Sequence, residues 1–397
     1  MALQKYKIIL NYEHFSLFLQ AKSLNNKLTT MNFEQLNNIV GRFAYEGTIS
    51  EIKPLGEGLI NDTYKVKNAE PGKPDYVLQR VNHVVFPDVD MVMRNIDAVT
   101  SHIRKKLVEQ GATDIDRRVL RFIPAKDSDK LYTIMDDGTY WRLMVFINDA
   151  ITKQAVDPES SRAAGRAFGN FQAMLADIPV QLGETIKDFH NMEFRLEQLR
   201  DVIQRDPAGR VKEERVQNML AEIEKRADEM CKAERMGREG TLPKRVCHCD
   251  TKVNNMMFDK QDNVLCVIDL DTVMPNFIFS DYGDFLRTAA NEVAEDCPEM
   301  DKVQFRMDIF KAFTEGYLES AKSFLLPVEI ENLPYATALF PYMQCVRFLW
   351  DYLSGDKYWK CQYPDHNFVR ANNQLHLLLS IEKSYPEMQA FIAGCLK

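Results

Sequence analysis

The sequence predicts an α+β protein of two lobes, a small antiparallel sheet followed by a larger, mostly helical part. Three observations carry this. Residues 49–146 hold short apolar runs parted by turns rich in Gly, Asp and Asn, around one long helical pattern. Beyond residue 150, apolar residues recur at helical spacing through most of the chain. And 397 residues exceed what one hydrophobic core usually serves.

Residues 1–30 are rich in Asn, Gln, Lys and Leu, and Met31 follows directly. They read as an N-terminal tail, disordered or amphipathic, or as lying upstream of the true start. The first lobe is expected over 31–148. It opens with a helix over 33–43 and a strand over 49–54. Leu55-Gly56-Glu57-Gly58-Leu59-Ile60-Asn61-Asp62-Thr63 then makes a glycine-containing turn into a second strand. Such a turn lets backbone N–H groups approach phosphates closely; a plain tight turn is the alternative. A strand over 74–81 carries Gln79-Arg80, and 91–107 is a helix. Arg80 offers a permanent positive fork, paired with Asp90 or Asp97, or is a solvated strand-end arginine. Strands follow over 119–123, 131–135 and 140–146, the last ending at Phe146 where the first lobe gives way to the second.

The helical lobe, 149–397, is expected to hold helices over 161–176, 194–203, 211–236, 302–321, 327–353 and 371–396, with Asp281-Tyr282-Gly283-Asp284 capping another. Hydrophobic content of 45% and charged content of 27% suit a globular chain. The net charge of −8 and the lack of a long basic run argue against nucleic acid or an anionic membrane as main partner. No apolar run approaches a membrane span and the start lacks a secretion signal, so a cytoplasmic protein, monomer or homodimer, is expected. The eight cysteines are scattered, which points to reduced thiols. Cys247-His248-Cys249 has no second Cys or His pair at zinc spacing.

The chemistry is concentrated in one stretch. Cys247-His248-Cys249-Asp250-Thr251-Lys252-Val253-Asn254-Asn255 spells H-x-D-x-x-x-x-N, and Ile268-Asp269-Leu270-Asp271 follows. Residues 255–259 and 264–268 are short apolar strands joined by the turn 260–263. A hairpin of this kind brings Asp250, Asn255 and Asp269 to one end. There Asp250 can orient an attacking hydroxyl, while Asn255 and Asp269 offer oxygens to magnesium on ATP phosphates. That is the layout of a kinase acting on an alcohol; the alternative is a hairpin with solvated acids.

On these residues the chain resembles the aminoglycoside phosphotransferase and choline kinase superfamily, which has a bilobal protein-kinase-like fold. More narrowly it resembles the N-acetylhexosamine 1-kinases. The resemblance runs from about Phe33 to the C-terminus. It rests on residues 56–64, 76–82, 86–88, 248–255, 267–275, 280–287 and 347–360, and on Gln79-Arg80 where kinases usually place a lysine. It implies ATP- and Mg2+-dependent phosphorylation of the C1 hydroxyl of N-acetylglucosamine or N-acetylgalactosamine. Asp250 carries over as the base, Asn255 and Asp269 as magnesium ligands, and Asp271 as an acid for metal or sugar. Gly56, Gly58, Asn61, Gln79, Arg80 and Phe146 are the nucleotide candidates. Arg287, Arg347, Asp351 and Tyr352 are candidates for sugar contacts, with an i,i+4 pair between Arg347 and Asp351 as the alternative. Cys249 and Asn276 depart from the subgroup, which has Asn and Gly there. Two other readings stay open: a kinase of this fold acting on choline, homoserine, an aminoglycoside or another sugar, and an inactive nucleotide-binding protein. For choline, Trp350, Tyr352, Tyr358, Trp359 and Tyr363 would form the aromatic box.

Overall fold

The computed structural model describes residues 31–56, 60–153 and 155–396. The expectations for the tail 1–30 and for Gly58 lie outside the described residues. The chain divides into two compact units, one ending at Asp149 and the other beginning at Ala150.

The first unit begins with α1 (Phe33–Val40), whose Asn32 cap accepts from the Gln35 N–H while Gln35 returns to the Asn32 N–H. Then follow β1 (Ile49–Pro54), β2 (Asp62–Asn68), β3 (Tyr76–Val81), α2 (Val89–Glu109), α3 (Ile115–Arg118), β4 (Phe122–Ile123), β5 (Thr133–Ile134) and β6 (Tyr140–Val145). The strands form one antiparallel sheet in the order β1-β2-β3-β6-β4, with β5 also on β6. Strands of five residues were expected over 119–123 and 131–135, and each is two residues long. Both pair with the same strand: β4 meets Leu143 and Met144, β5 meets Tyr140 and Trp141. Each therefore has only half of β6 available.

Register assigns the two faces of this sheet, because residues directly opposite one another share a face. Tyr76 faces Val145, Leu78 faces Leu143, and Arg80 faces Trp141. This face is closed by α1, whose Leu36, Ile39 and Val40 pack with Phe43 against Tyr76, Leu78, Trp141 and Leu143. The other face carries Thr63 opposite Gln79, and Gln79 opposite Arg142.

The second unit comprises α4 (Pro158–Leu175), α5 (Met192–Arg205), α6 (Glu214–Met230), α7 (Lys232–Arg238), β7 (Arg245–Cys247), β8 (Met256–Phe258), β9 (Val264–Val267), β10 (Met274–Asn276), α8 (Phe279–Ala289), α9 (Met307–Ala321), α10 (Pro327–Glu331), α11 (Leu333–Ser354) and α12 (His366–Cys395). The helix expected over 211–236 is broken at Cys231. The Tyr335 hydroxyl sits at the break, accepting from the Ala233 N–H (3.2 Å) and donating to the Met230 carbonyl (2.9 Å). The helix expected over 327–353 restarts after Asn332, because Pro334 lies in the first turn of α11 and has no N–H to continue the preceding one.

Helices α4 and α9 are in backbone contact. A Cβ on Gly165 would lie 2.1 Å from the Phe313 carbonyl oxygen, and one on Gly316 2.0 Å from that of Arg162. Neither carbonyl can swing aside without unwinding its helix. Gly316→Ala is expected to destabilise the fold by about 1–3 kcal/mol, the usual range for overpacking, read as a lower denaturant midpoint. The close approach matters for function because it seats Gln172 of α4 against Tyr317 of α9, the base of the site below.

Candidate active site

Asp250 stands on the loop leaving β7, and the loop is fixed from beneath by Asp281 of α8. The Asp281 carboxylate is fully buried. Its Oδ2 accepts from the His248 N–H (3.0 Å) and the Gln172 amide (2.8 Å), and its Oδ1 from the Cys249 N–H (2.8 Å). Gln172 is itself oriented by the Tyr317 hydroxyl, which donates to its Oε1 at 2.6 Å. These bonds hold Cys249 at φ +63°, a left-handed conformation that β-carbon residues avoid and that costs on the order of 1–3 kcal/mol unless surroundings enforce it. Asp281 was expected in a helix cap. It lies inside the first turn of α8, after the Ile278 cap, with its side chain turned to the loop.

His248 ties the loop to the hairpin. Its Nε2 donates to the Ile268 carbonyl (2.8 Å) and its Nδ1 accepts from the Asp250 N–H (3.2 Å), so one tautomer satisfies both. The Ile268 N–H donates to the Asn255 carbonyl (2.9 Å), and the Thr272 hydroxyl to the His248 carbonyl (2.7 Å). Asp269, next along, sits at φ +61° on the turn into a 3-10 helix that contains the buried Asp271. The expected convergence of the loop and the hairpin end is thus present.

Within it, the Asn255 amide donates to the Asp250 carbonyl (2.8 Å) and to Asp250 Oδ2 (3.1 Å). That leaves Asn255 Oδ1 as a hard oxygen donor, with the Asp269 carboxylate as a second. Among the described residues no group of three His, Cys, Asp or Glu forms a metal cage. Magnesium held by one or two protein oxygens plus phosphates needs none, so this donor set suits it.

Lys252 went unnoticed in the sequence, although its place two residues after Asp250 was the available signal. Its Nζ lies 2.8 Å from Asp250 Oδ1 and 3.1 Å from Oδ2. Burial pushes the Asp250 carboxyl up, but the Lys252 charge, helped by Asn255, outweighs it and holds the carboxyl below its usual 3.8. Stabilisation from this pair is therefore complete above the unfolded carboxylate value and is lost as pH falls through the lower folded one. Lys252→Ala is expected to move the acid limb of the pH–rate profile to higher pH, measured as kcat/KM between pH 4 and 8.

The remaining candidates separate. Arg287 is buried in an ion triad with Asp284 (3.0 Å) and Glu295. Arg347 does not pair with Asp351. It donates to Gln344 (3.2 Å) and lies near the Phe189 and Trp359 rings, 5.5 and 5.3 Å from their centroids. His190, stacked on Phe189, is pushed well below its usual value by burial and then by the charges of Arg347, Arg195 and Arg287. The Arg287 charge also acts on Lys252, beside Asp250.

Asp351 is fully buried and all four of its lone-pair positions are taken. It accepts from the N–H groups of Lys357, Tyr358 and Trp359 and from the Asn367 amide, at 2.7–2.9 Å. It braces the 355–359 loop and has no acceptor left for a sugar hydroxyl. Asp351→Ala is expected to destabilise by about 3 kcal/mol or more, since several buried donors lose their partner, measured by thermal unfolding. Tyr352 is likewise engaged. Its hydroxyl meets Arg215 (2.6 Å), and Arg210 lies over its ring at 4.2 Å.

In the first unit, Gly56 takes φ +71° at the turn, as a glycine there allows. Asn61 is buried and accepts from the Asn82 N–H (3.0 Å), tying the turn's exit to the end of β3. The Phe146 N–H is donated to the Asp75 carbonyl (2.9 Å), extending the β3–β6 ladder. Arg80 pairs with Asp62 (2.6 Å), not with Asp90 or Asp97. Asp90 is held by Arg94 (2.8 Å), Lys130 (2.9 Å) and Tyr132 (2.8 Å). Gln79 reaches Thr63 (3.0 Å) and the buried Arg142 (2.8 and 3.0 Å), a cation the sequence did not single out.

A two-lobed fold with an antiparallel sheet and a helical catalytic unit carrying this loop defines a kinase-like phosphotransferase. An aminoglycoside phosphotransferase from Alicyclobacillus acidocaldarius matches with a TM-score of 0.56 at 15% identity, over 93% of this chain and 96% of that one. Amicoumacin kinase hAmiN, in complex with AMP-PNP, Ca2+ and Ami, matches at 0.55 and 10% identity, over 87% and 93%. Plasmodium vivax ethanolamine kinase matches at 0.52 and 13%, over 89% and 92%. The family described as Phosphotransferase enzyme family matches residues 51–317, and this chain belongs to it. It is a small-molecule phosphotransferase of the aminoglycoside phosphotransferase and choline kinase type. Among the described residues no helix is long and apolar enough to cross a membrane.

Proposed function

We propose that this phosphotransferase uses ATP and magnesium to phosphorylate the anomeric hydroxyl of an N-acetylhexosamine. The observation that carries the substrate assignment is Arg347. One of its five N–H groups is engaged among the described residues, and two aromatic rings, Phe189 and Trp359, lie near its guanidinium. A guanidinium so placed donates to neutral oxygens such as an acetamide carbonyl or ring hydroxyls. It opposes a cation, and Arg195, pushed down to about 9 by burial and by Arg347, adds to that opposition. Choline, ethanolamine and aminoglycosides are cations. The aromatic box that choline would need is also taken: Arg210 and Arg215 lie over Tyr352, and Arg347 lies over Trp359.

In this reading Asp250 accepts the hydrogen bond of the anomeric hydroxyl and holds its oxygen in line with the γ-phosphorus. As the new O–P bond forms and the bond to ADP breaks, the proton passes to the Asp250 carboxylate. An anomeric hydroxyl is more acidic than an ordinary alcohol, so a carboxylate held ionised by Lys252 suffices as acceptor. Asn255 and Asp269 would hold magnesium, which neutralises charge on the phosphates. ATP consumption across a panel of free sugars, choline, homoserine and an aminoglycoside tests the assignment. Turnover is expected with N-acetylhexosamines; turnover with choline or an aminoglycoside alone would overturn it.

A further inference from the structure

Kinases of this general plan hold the nucleotide phosphates with a lysine on the third strand, and here that strand offers Gln79 and Arg80. Arg80 has the charge, but it lies on the face that α1 closes, opposite Trp141 and paired with Asp62. Its guanidinium is committed to that carboxylate on the side of the sheet that holds the apolar core. The open question is what supplies positive charge on the other face.

That face bears a polar row across three strands, Thr63 on β2, Gln79 on β3 and Arg142 on β6, each directly opposite the next. The Gln79 carbonyl oxygen accepts two bonds from Arg142, from Nε at 3.0 Å and Nη2 at 2.8 Å. Its amide nitrogen donates to Thr63 Oγ1 at 3.0 Å. The amide cannot flip without setting its nitrogen against the guanidinium, so its orientation is fixed. Its second N–H has no partner among the described residues. Arg142 is itself held, 2% exposed, near Met93 Sδ (3.8 Å) and over the Phe122 ring (5.6 Å). Thr63 follows Asn61, the last residue of the glycine-containing turn, by two residues in sequence.

We propose that Arg142, acting through Gln79, supplies the fixed positive charge for the nucleotide phosphates, a task that other kinases give to the third-strand lysine. Arg142 is a positioning residue and field source; Gln79 presents the N–H that meets the phosphate. The guanidinium polarises the amide whose oxygen it binds, which strengthens the remaining amide N–H as a donor. The inference rests on the ATP reading above but not on the identity of the acceptor.

The test is calorimetric binding of AMP-PNP with magnesium, and of adenosine, to the full chain and to R142Q, R142K and R142Q/Q79K. AMP-PNP affinity is expected to fall about tenfold or more in R142Q, with adenosine affinity unchanged. R142K keeps the charge but loses the fork and should fall between the two. In R142Q/Q79K a lysine returns to the same face, and AMP-PNP affinity should recover at least in part. Thermal unfolding of each variant checks the fold. An equal loss for adenosine and AMP-PNP would mean a merely structural arginine. The AMP-PNP loss appearing in R80Q instead, or no loss in folded R142Q, would also overturn the assignment. If the unaltered chain binds no AMP-PNP, the ATP reading fails and this inference with it; if it binds AMP-PNP but phosphorylates no sugar, only the acceptor assignment fails.

Discussion

Asp250→Asn is expected to lower kcat by about 10²–10⁴-fold while leaving nucleotide binding in place. The substitution is nearly isosteric. The asparagine carbonyl can still accept from Lys252 and from Asn255, so the loop keeps its contacts. What disappears is the anionic oxygen that, in the proposed reaction, accepts the substrate proton, and neither neighbouring group replaces it. Lys252 is a cation and the Asn255 amide is already a donor to the same carboxylate. The effect should therefore fall on kcat, with KM for ATP little changed and Tm within a few degrees of the parent. A large fall in Tm would show that the carboxylate is needed for the fold, and the loss of rate would then say little about chemistry.

Asp281→Ala is expected to destabilise the protein by about 3–5 kcal/mol and to cost on the order of a hundredfold in kcat in whatever fraction stays folded. The stability cost arises because three donors, the His248 and Cys249 N–H groups and the Gln172 amide, are left in a dry interior without an acceptor. The rate cost arises from position. Cys249 keeps its left-handed backbone only while Asp281 binds its N–H, and Asp250 is the next residue. Asp281→Asn tests the same point more gently, since one of the two oxygens becomes an NH2 facing donors. The check is a urea titration for stability alongside steady-state kinetics at a temperature where the variant is folded. Parent-like kcat in the alanine variant would remove Asp281 from the account of the loop.

The proposed reacting groups could be picked out in the sequence because kinase chemistry fixes both residue type and spacing. Asp250, Asn255 and Asp269 flank the two strands of one hairpin and so share one of its ends, and a hairpin is local. Their support was not legible. Asp281 comes from a helix thirty residues later and Gln172 from one seventy-five residues earlier, and a buried carboxylate in the first turn of a helix looks like a cap when only the sequence is read. The same limit explains the first unit. Gln79 and Arg80 are neighbours in sequence, so both stood as phosphate candidates. Strand alternation sends them to opposite faces, and which face is closed depends on α1, packed there from forty residues away. Arg347 and Asp351 show the reverse error. An i,i+4 spacing suggests a pair, but the 355–359 loop folds back on Asp351 and uses all its acceptor capacity. Cys249 and Asn276 lie against each other, the Asn276 amide 3.7 Å from the Cys249 sulfur.

Asp250 is proposed to activate an anomeric hydroxyl. The most direct measurement is phosphorus and proton NMR of the product formed from ATP, magnesium and N-acetylglucosamine or N-acetylgalactosamine. The account predicts a single sugar phosphate whose phosphorus couples to the anomeric proton, absent with Asp250→Asn. A phosphorus coupled to the C6 protons, or a product formed equally well by Asp250→Asn, would contradict it.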